Sequence, residues 1–519
     1  MPFAKVGSGQ ANLLSAGLIT VEVDLSKGLH AFSIVGLPDK GVEESKDRVS
    51  AAIKNSGFKS PKHRNQRITI SLAPADLKKE GPLFDLPIAL AYLLAAEDIR
   101  FDPVGRLFIG ELSLDGGLRP VRGVLPIVRS AQRAGIREVF LPAENAAEAA
   151  LIEGISVFAA SHLGDIINHL NTAGEGDAKK LLPTPPTRIA RAGARPELDF
   201  SDVRGQESAK RGLEIAAAGA HNLAMWGPPG TGKTMLARAF RTILPPLSHE
   251  ECLDVTAIHS VAGALGNTLV REPPVRMPHH TSSYVAMVGG GTFPRPGEVT
   301  LAHKGVLFLD EFAEFDRRVI EALRQPLEDR VVSISRAKGT AEFPAHFILI
   351  AALNPCPCGN FGTRGKECIC TPLSIQRYQR KISGPIIDRI DLWIEVSRMP
   401  IKALGEKKPD EGDKESEGIR RRVEQARRVQ GKRFVKAGRR ITTNSEMNVR
   451  DIERFVPLPD REKTLLASSA EKLGLSGRGY HRVIKLARTI ADLEGALDVR
   501  EHHLLEALSY RPKKLGGSL

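Results

Sequence analysis

Apolar residues along this chain fall into two kinds of run. Short unbroken runs, Leu223–Trp226, Gly305–Leu309 and Phe347–Ala352, read as strands buried on both faces, since a parallel sheet covered by helices needs no polar alternation. Other stretches repeat their apolar positions every three or four residues, as helices with one buried stripe do. Met235, Leu236, Ala239, Phe240 and Ile243, just after the first run, are of this kind. Nearer the N-terminus the two types alternate. Ile19–Leu25, Ala31–Val35 and Arg67–Leu72 read as strands, and Lys40–Ser56 and Phe84–Ala96 as helices. Leu107–Leu114 runs into Asp115-Gly116-Gly117, a hairpin turn signal, and Val124–Ala134 with Glu138–Leu141 makes a further helix–strand pair. Glu207–Ala218 and Arg317–Gln325 read as helices, Val331–Ser335 and Thr340–Phe343 as paired strands, and the tail, including Ile419–Lys436 and Val483–Leu493, as helical.

Two stretches interrupt the patterning. Residues 171–197 are rich in Gly, Pro, Ala and charge around Pro183-Thr184-Pro185-Pro186, and Leu404–Gly418 is rich in Lys, Glu, Asp and Gly. Both have linker composition. The expected organisation is a domain over 1–170, a linker over 171–197, an α/β module over 198–400, a linker over 401–418 and a helical domain over 419–512. The formal charge of +13 suits a polyanionic partner. Met1–Gly7 lacks the apolar core of a signal peptide, and Leu86–Ala96 is too short to span a bilayer, so a cytoplasmic protein without membrane contact is expected. Four of the five cysteines lie within Cys356–Cys370, which excludes a dispersed disulfide framework.

The chemistry concentrates at the ends of the apolar runs. Gly227, Gly232, Lys233 and Thr234, with Pro228, Pro229, Gly230 and Thr231 between them, fill the pattern G-x-x-x-x-G-K-[ST] between a strand and a helix. Glycines let the backbone N–H groups close on phosphate oxygens, Lys233 brings a point charge to the β- and γ-phosphates, and Thr234 can ligate Mg²⁺. The helix that follows adds its positive end. ATP and Mg²⁺ are therefore the expected ligands. Gly305–Glu311 ends in two carboxylates: Asp310 would hold Mg²⁺ through water, and Glu311 would orient and polarise the attacking water. The run Phe347–Ala352 leads to Asn354, placed to sense the γ-phosphate. Ligand groups at the carboxyl ends of such strands describe the site of an open α/β sheet.

Two further clusters call for metal readings. Adjacent His279 and His280 would point apart on a strand, so they are not read as a metal pair. Cys356-Pro357-Cys358 and Cys368-Ile369-Cys370 could close a structural Zn²⁺ site, although the single-residue spacing in each pair also suits unliganded thiols.

Several motifs resemble known families. Lys79-Glu80-Gly81-Pro82, Gly110–Gly116 and Ala134-Gly135-Ile136 resemble the proteolytic domain of Lon-type proteases, an α+β fold shared with ribosomal protein S5. Where that domain carries its catalytic Ser and Lys, this chain aligns Leu83 and Leu125, which implies a scaffold or binding module rather than a protease. The α/β module resembles AAA+ ATPases. Asp199–Gln206 matches a segment that lies near adenine there, and equally fits a turn into the next helix. Met277–Ser283, Val288–Gly291 and Pro296–His303 closely resemble the magnesium-chelatase branch, in which they form an insertion facing a central pore. The same branch implies that the tip Arg336-Ala337-Lys338-Gly339, through Arg336 and Lys338, reaches toward DNA; a solvated hairpin is the plainer alternative. It also implies that Arg389, in Ile382–Asp391, reaches the γ-phosphate bound by a neighbouring subunit, unless it only pairs with Asp388 or Asp391. Arg478 matches the family's lid arginine, with Arg482 one turn on as its backup. The one-signed charge of Ile419–Lys436 suits a phosphate backbone or a solvated face.

The combination of Lon-like domain, magnesium-chelatase-type module and helical lid covers nearly the whole chain and resembles the YifB/ComM family. That resemblance implies a hexameric DNA motor, a helicase acting on branched or single-stranded DNA, which promotes branch migration as incoming DNA recombines in natural transformation. A chelatase motor subunit that drives Mg²⁺ into a porphyrin, and a nucleotide-switched adaptor, are the alternatives.

Overall fold

The computed structural model describes residues 3–12, 15–171, 180–187, 198–264, 270–291, 295–336, 339–362, 366–399 and 415–512. Contacts divide the chain into two compact units, residues 1–191 with 248–271, and residues 192–247 with 272–519.

The first unit is built on a seven-stranded mixed sheet in the order Ala31–Val35, Gln66–Ala73, Ser15–Lys27, Phe3–Asn12, Arg106–Phe108, Glu138–Pro142 and Ser156–Ala160. Phe3–Asn12 and Ser15–Lys27 pair antiparallel along their whole length, and the last three strands run parallel. Phe108, Phe140 and Phe158 stack across those three strands with centroids 5.1 and 4.9 Å apart. The helix Asp85–Ala95 is apolar on every side and buried accordingly. Asp85 at its start is fully buried and paired with Arg48 at 2.7 Å, which offsets the burial that pushes its carboxyl above the ordinary range. The two positions where a protease dyad would fall, Leu83 and Leu125, both lie in the apolar core. Lys79 is buried with its ammonium on the Pro74 carbonyl.

The helix His249–Ala262, which the sequence reading leaves inside the ATPase module, counts with this first unit. It opens with a capping box between Ser248 and Glu251. Leu253 and Ala257 join the unit's core, Asp254 pairs with Arg129 at 3.0 Å, and Ser260 Oγ accepts from the Gly123 N–H at 3.0 Å. The chain thus leaves the second unit after Leu247 and returns at Glu272.

The second unit holds a five-stranded, all-parallel sheet in the order Val275–Arg276, Val306–Leu309, Ile348–Leu353, Leu223–Trp226, Leu392–Glu395. Its three central strands are the three apolar runs of the sequence. The helical C-terminal region packs in the same unit: Glu415–Lys436 lies against Glu207–Gly219 and Gly477–Glu494. This helix takes in the last four residues of the expected linker, and residues 400–414 lie outside the described residues. Its cations are not a free stripe. Arg422 pairs with Glu214 at 2.5 Å, Arg427 donates to the Ala217 carbonyl at 2.9 Å, and Arg433 pairs with the buried Asp492. Arg420 and Arg428 flank Glu424, and Arg421 pairs with Glu417. Part of the helix's charge is therefore met by internal partners, while the Arg421 and Arg428 side chains stay about three-quarters exposed.

The stretch Lys40–Ser56 is two helices, Lys40–Glu43 and Ser45–Asn55, and Arg317–Gln325 extends into a second, Arg324–Asp329. The two expected strands form a hairpin, Val331–Arg336 paired antiparallel with Gly339–Pro344. Lys338 lies outside the described residues, and only the backbone of Arg336 lies within them.

Candidate active site

The phosphate loop leaves the carboxyl end of Leu223–Trp226 between two neighbouring strands. A Cβ on Gly227 would stand 2.2 Å from the Val396 carbonyl oxygen, so only glycine lets the loop begin there. Its N–H donates to the Leu353 carbonyl at 3.2 Å, and Thr231 Oγ1 donates to the Pro228 carbonyl at 3.0 Å. Gly230 and Gly232 take φ of +76° and +91°, which turns the chain into the helix Lys233–Ala239.

Lys233, Thr234, Asp310, Glu311 and Asn354 meet at the carboxyl ends of three adjacent strands. Lys233 Nζ donates to the Gly227 and Pro228 carbonyls at 2.6 and 2.9 Å and to Asn354 Oδ1 at 3.2 Å. Burial pulls this amine down to about 8, with Asp310 opposing, and a polyphosphate beside it would favour the ammonium form. Thr234 Oγ1 donates to Asp310 Oδ2 at 2.7 Å, which puts the two oxygen donors suited to Mg²⁺ side by side. Asp310 Oδ1 accepts the Glu311 N–H at 2.9 Å. Glu311 itself sits in the left-handed region at φ +50°, and its carboxylate is half exposed.

The histidine pair behaves differently from expectation. Residues 277–283 form a turn rather than a strand, so the His279 and His280 rings lie 4.2 Å apart instead of pointing opposite ways. His280 Nδ1 is 3.2 Å from the Glu311 carboxylate. This partner escaped sequence reading, since 31 positions separate the two residues and neither motif names the other.

Arg389 and Arg478 stand elsewhere. Arg389 lies just before Leu392–Glu395, at the amino ends of the parallel strands, and its carbonyl accepts from Asn222 Nδ2 at 3.2 Å. The phosphate loop follows the opposite end, so the Arg389 backbone is roughly a strand length, about 13 Å, from its own loop. Arg389 is 8% exposed. Its guanidinium donates to the Pro385 carbonyl at 2.8 Å and pairs with Glu328, not with Asp388 or Asp391. Asp391 pairs instead with Arg482, which also donates to the Arg389 carbonyl at 3.1 Å. Arg478, more than half exposed, meets the other oxygen of Glu328 at 3.0 Å. Arg478 and Arg482 thus differ: Arg482 braces the loop before the edge strand, and Arg478 is the more exposed of the two. Burial, then the nearby Arg478, Arg482 and Arg324, hold Arg389 below the ordinary arginine range.

The four cysteines converge. Cys356 Sγ lies 3.4 and 3.7 Å from Cys358 and Cys368, Cys358 and Cys368 are 3.6 Å apart, and all four sulfurs fall within 4.8 Å of one another. Sulfurs around one tetrahedral metal at about 2.3 Å stand about 3.8 Å apart, so this donor set can hold a metal ion. The loop abuts the phosphate site: Cys356 follows Asn354 by two residues, and a Cβ on Gly359 would stand 2.5 Å from Pro229. A second cluster, Glu494 with His502 and His503, is not equivalent. His503 Nδ1 accepts the Arg500 N–H at 2.8 Å, so its other nitrogen carries the proton that it donates to Glu494 and is not free for a metal.

The comparisons agree with this arrangement. Residues 199–404 match the family described as "Magnesium chelatase, subunit ChlI", residues 21–145 "Subunit ChlI of Mg-chelatase", and residues 413–511 "Magnesium chelatase, subunit ChlI C-terminal". The chain is 43% identical to the competence protein ComM of Haemophilus influenzae over 98% of both chains. It is 43% identical to the YifB protein of Escherichia coli over 96% of this chain and 95% of that one. Lon protease 2 of Bacillus subtilis is 29% identical over 30% of this chain and 33% of that protease. Among the described residues no helix is long and apolar enough to cross a membrane. With a phosphate loop, paired carboxylates and polar strand ends assembled on a parallel sheet, and with relatives that match it end to end, the chain belongs to the ComM/YifB family of magnesium-chelatase-like AAA+ ATPases.

Proposed function

We propose that this ATPase is a ring motor, most simply a hexamer, that hydrolyses ATP to move branched or single-stranded DNA, with branch migration of incoming DNA as its task. The observation that carries the reading is the relationship to the competence protein ComM along 98% of both chains, taken with a phosphate site in which Lys233 reaches Asn354 and Thr234 reaches Asp310. Lys233 and the loop N–H groups hold the β- and γ-phosphates. Thr234 and Asp310 would hold Mg²⁺, which would supply positive charge to neutralise the phosphate oxygens. Glu311 orients the water and takes its proton. Asn354, hydrogen-bonded to Lys233, reports on the γ-phosphate, and Arg389 and Arg478 complete the site of the next subunit. The hairpin carrying Arg336 and Lys338 supplies phosphate contacts to DNA.

The second reading, a chelatase motor, is favoured by the family descriptions and by 25% identity to the magnesium-chelatase 67 kDa subunit of Heliobacterium mobile over 45% of this chain. Turnover of ATP measured with forked DNA, with porphyrin plus chelatase partner subunits, and with neither separates them. Stimulation by forked DNA is expected. Stimulation by the porphyrin system alone would install the chelatase reading, and indifference to both would leave a nucleotide-switched adaptor.

The cysteine loop is proposed to hold zinc as a structural ion. Elemental analysis should find about one Zn per chain, lost when Cys358 and Cys368 are both replaced by serine. Since the loop joins Asn354 to the face of Pro229, chelation should lower both melting temperature and ATP affinity. Metal-free protein that keeps both would sink the assignment.

A further inference from the structure

Arg389 lies among three further arginines, Arg478, Arg482 and Arg324, whose charges add to burial in holding it below the ordinary arginine range. Arg482 is matched by Asp391. Arg389 and Arg478 come from separate elements, the loop before Leu392–Glu395 and the first turn of Gly477–Glu494, yet they converge on a single carboxylate. Glu328, near the end of the helix Arg324–Asp329, gives one oxygen to Arg389 and the other to Arg478 at 3.0 Å. Its side chain is 44% exposed, so the bridge is open to a competitor from outside. Arg389 is buried, and its Nε finds no partner among the described residues. Two guanidiniums on the two oxygens of one anion is also how a terminal phosphoryl group would be gripped.

We infer that Glu328 is an internal stand-in for the terminal phosphate of a nucleotide bound by a second copy of the chain. It holds Arg389 and Arg478 together, and a productive contact between copies requires the phosphate to displace it. Glu328 is thus a positioning residue that acts through the two arginines and opposes assembly. The inference rests on the reading of Arg389 and Arg478 as ligands of a neighbour's phosphate.

Glu328→Gln keeps the shape and removes the charge. In the full chain, ATP turnover should be followed across a protein dilution series, with kcat and KM for ATP separated at saturating protein. The protein concentration giving half-maximal turnover should fall about threefold to fivefold, as should KM, with kcat held within about twofold; the size is that of a partly exposed ion pair. Glu328→Ala should move in the same direction. A higher concentration requirement, or a lower kcat at saturation, would mean that the carboxylate builds the productive geometry and would overturn the inference. Unchanged profiles would overturn it as well. Arg389→Ala in the same series separates the two layers. If that variant turns over ATP like the parent, the arginine reading itself fails; if it is inactive while Glu328→Gln is unaltered, only the stand-in role fails.

Discussion

Glu311→Gln should bind ATP normally and hydrolyse it about 10²–10⁴-fold more slowly, the usual contribution of a positioned general base. The amide keeps the size of the carboxylate and its left-handed backbone position, and loses the ability to take a proton from water. Lys233→Ala should fail one step earlier, at binding. The removed amine is the group that bridges the loop carbonyls and Asn354, so both the phosphate charge and the link between two strand ends disappear. Nucleotide affinity by fluorescence or calorimetry, alongside steady-state turnover, distinguishes the two failures. Wild-type turnover by Glu311→Gln would remove Glu311 from its role and leave His280, its 3.2 Å neighbour, as a group with no base to position.

The phosphate site was legible because its motifs are local. Eight consecutive residues carry the loop, and the two carboxylates and Asn354 each end an apolar run that can only be a buried strand. The edge strands were harder. Leu392–Glu395 has four residues and Val275–Arg276 two, too few to show any period. Phe3–Asn12 is a central strand that escapes sequence reading, since Gly7 and Gly9 interrupt its apolar pattern. Those glycines are there for packing: a Cβ at Gly7 would stand 2.8 Å from the Arg106 carbonyl oxygen, and one at Gly9 would stand 2.7 Å from Ile127. Pairings between distant elements left no sequence signal at all. Glu328 lies 61 positions from Arg389, and nothing within the stretch His249–Ala262 marks it as packing into the core of the first unit. The partners of Arg422, Arg427 and Arg433 in Glu415–Lys436 were illegible for the same reason, since Glu214, Ala217 and Asp492 are remote in sequence.

Arg389→Ala should bind ATP nearly as the parent does and lose hydrolysis by roughly 10³–10⁵-fold, the range for an arginine supplied in trans to a phosphate loop. The geometry argues for trans action: Arg389 stands at the amino ends of the strands, and its own loop at the carboxyl ends. In the proposed ring, the head-to-tail contact would have to set the Arg389 face of one subunit against the phosphate loop of the next. The contrasting variant is the Arg336/Lys338 double alanine, which should keep basal turnover and lose DNA stimulation. Mixed rings give the sharper result. An Arg389→Ala subunit retains an intact phosphate loop, and a Lys233→Ala subunit retains an intact arginine. Where the second presents its Arg389 to the loop of the first, a complete site forms. Mixing two inactive proteins should therefore restore part of the turnover that neither has alone. Mass spectrometry would verify that both chains share rings, and mixed rings without recovery would show that Arg389 does not act across the subunit boundary.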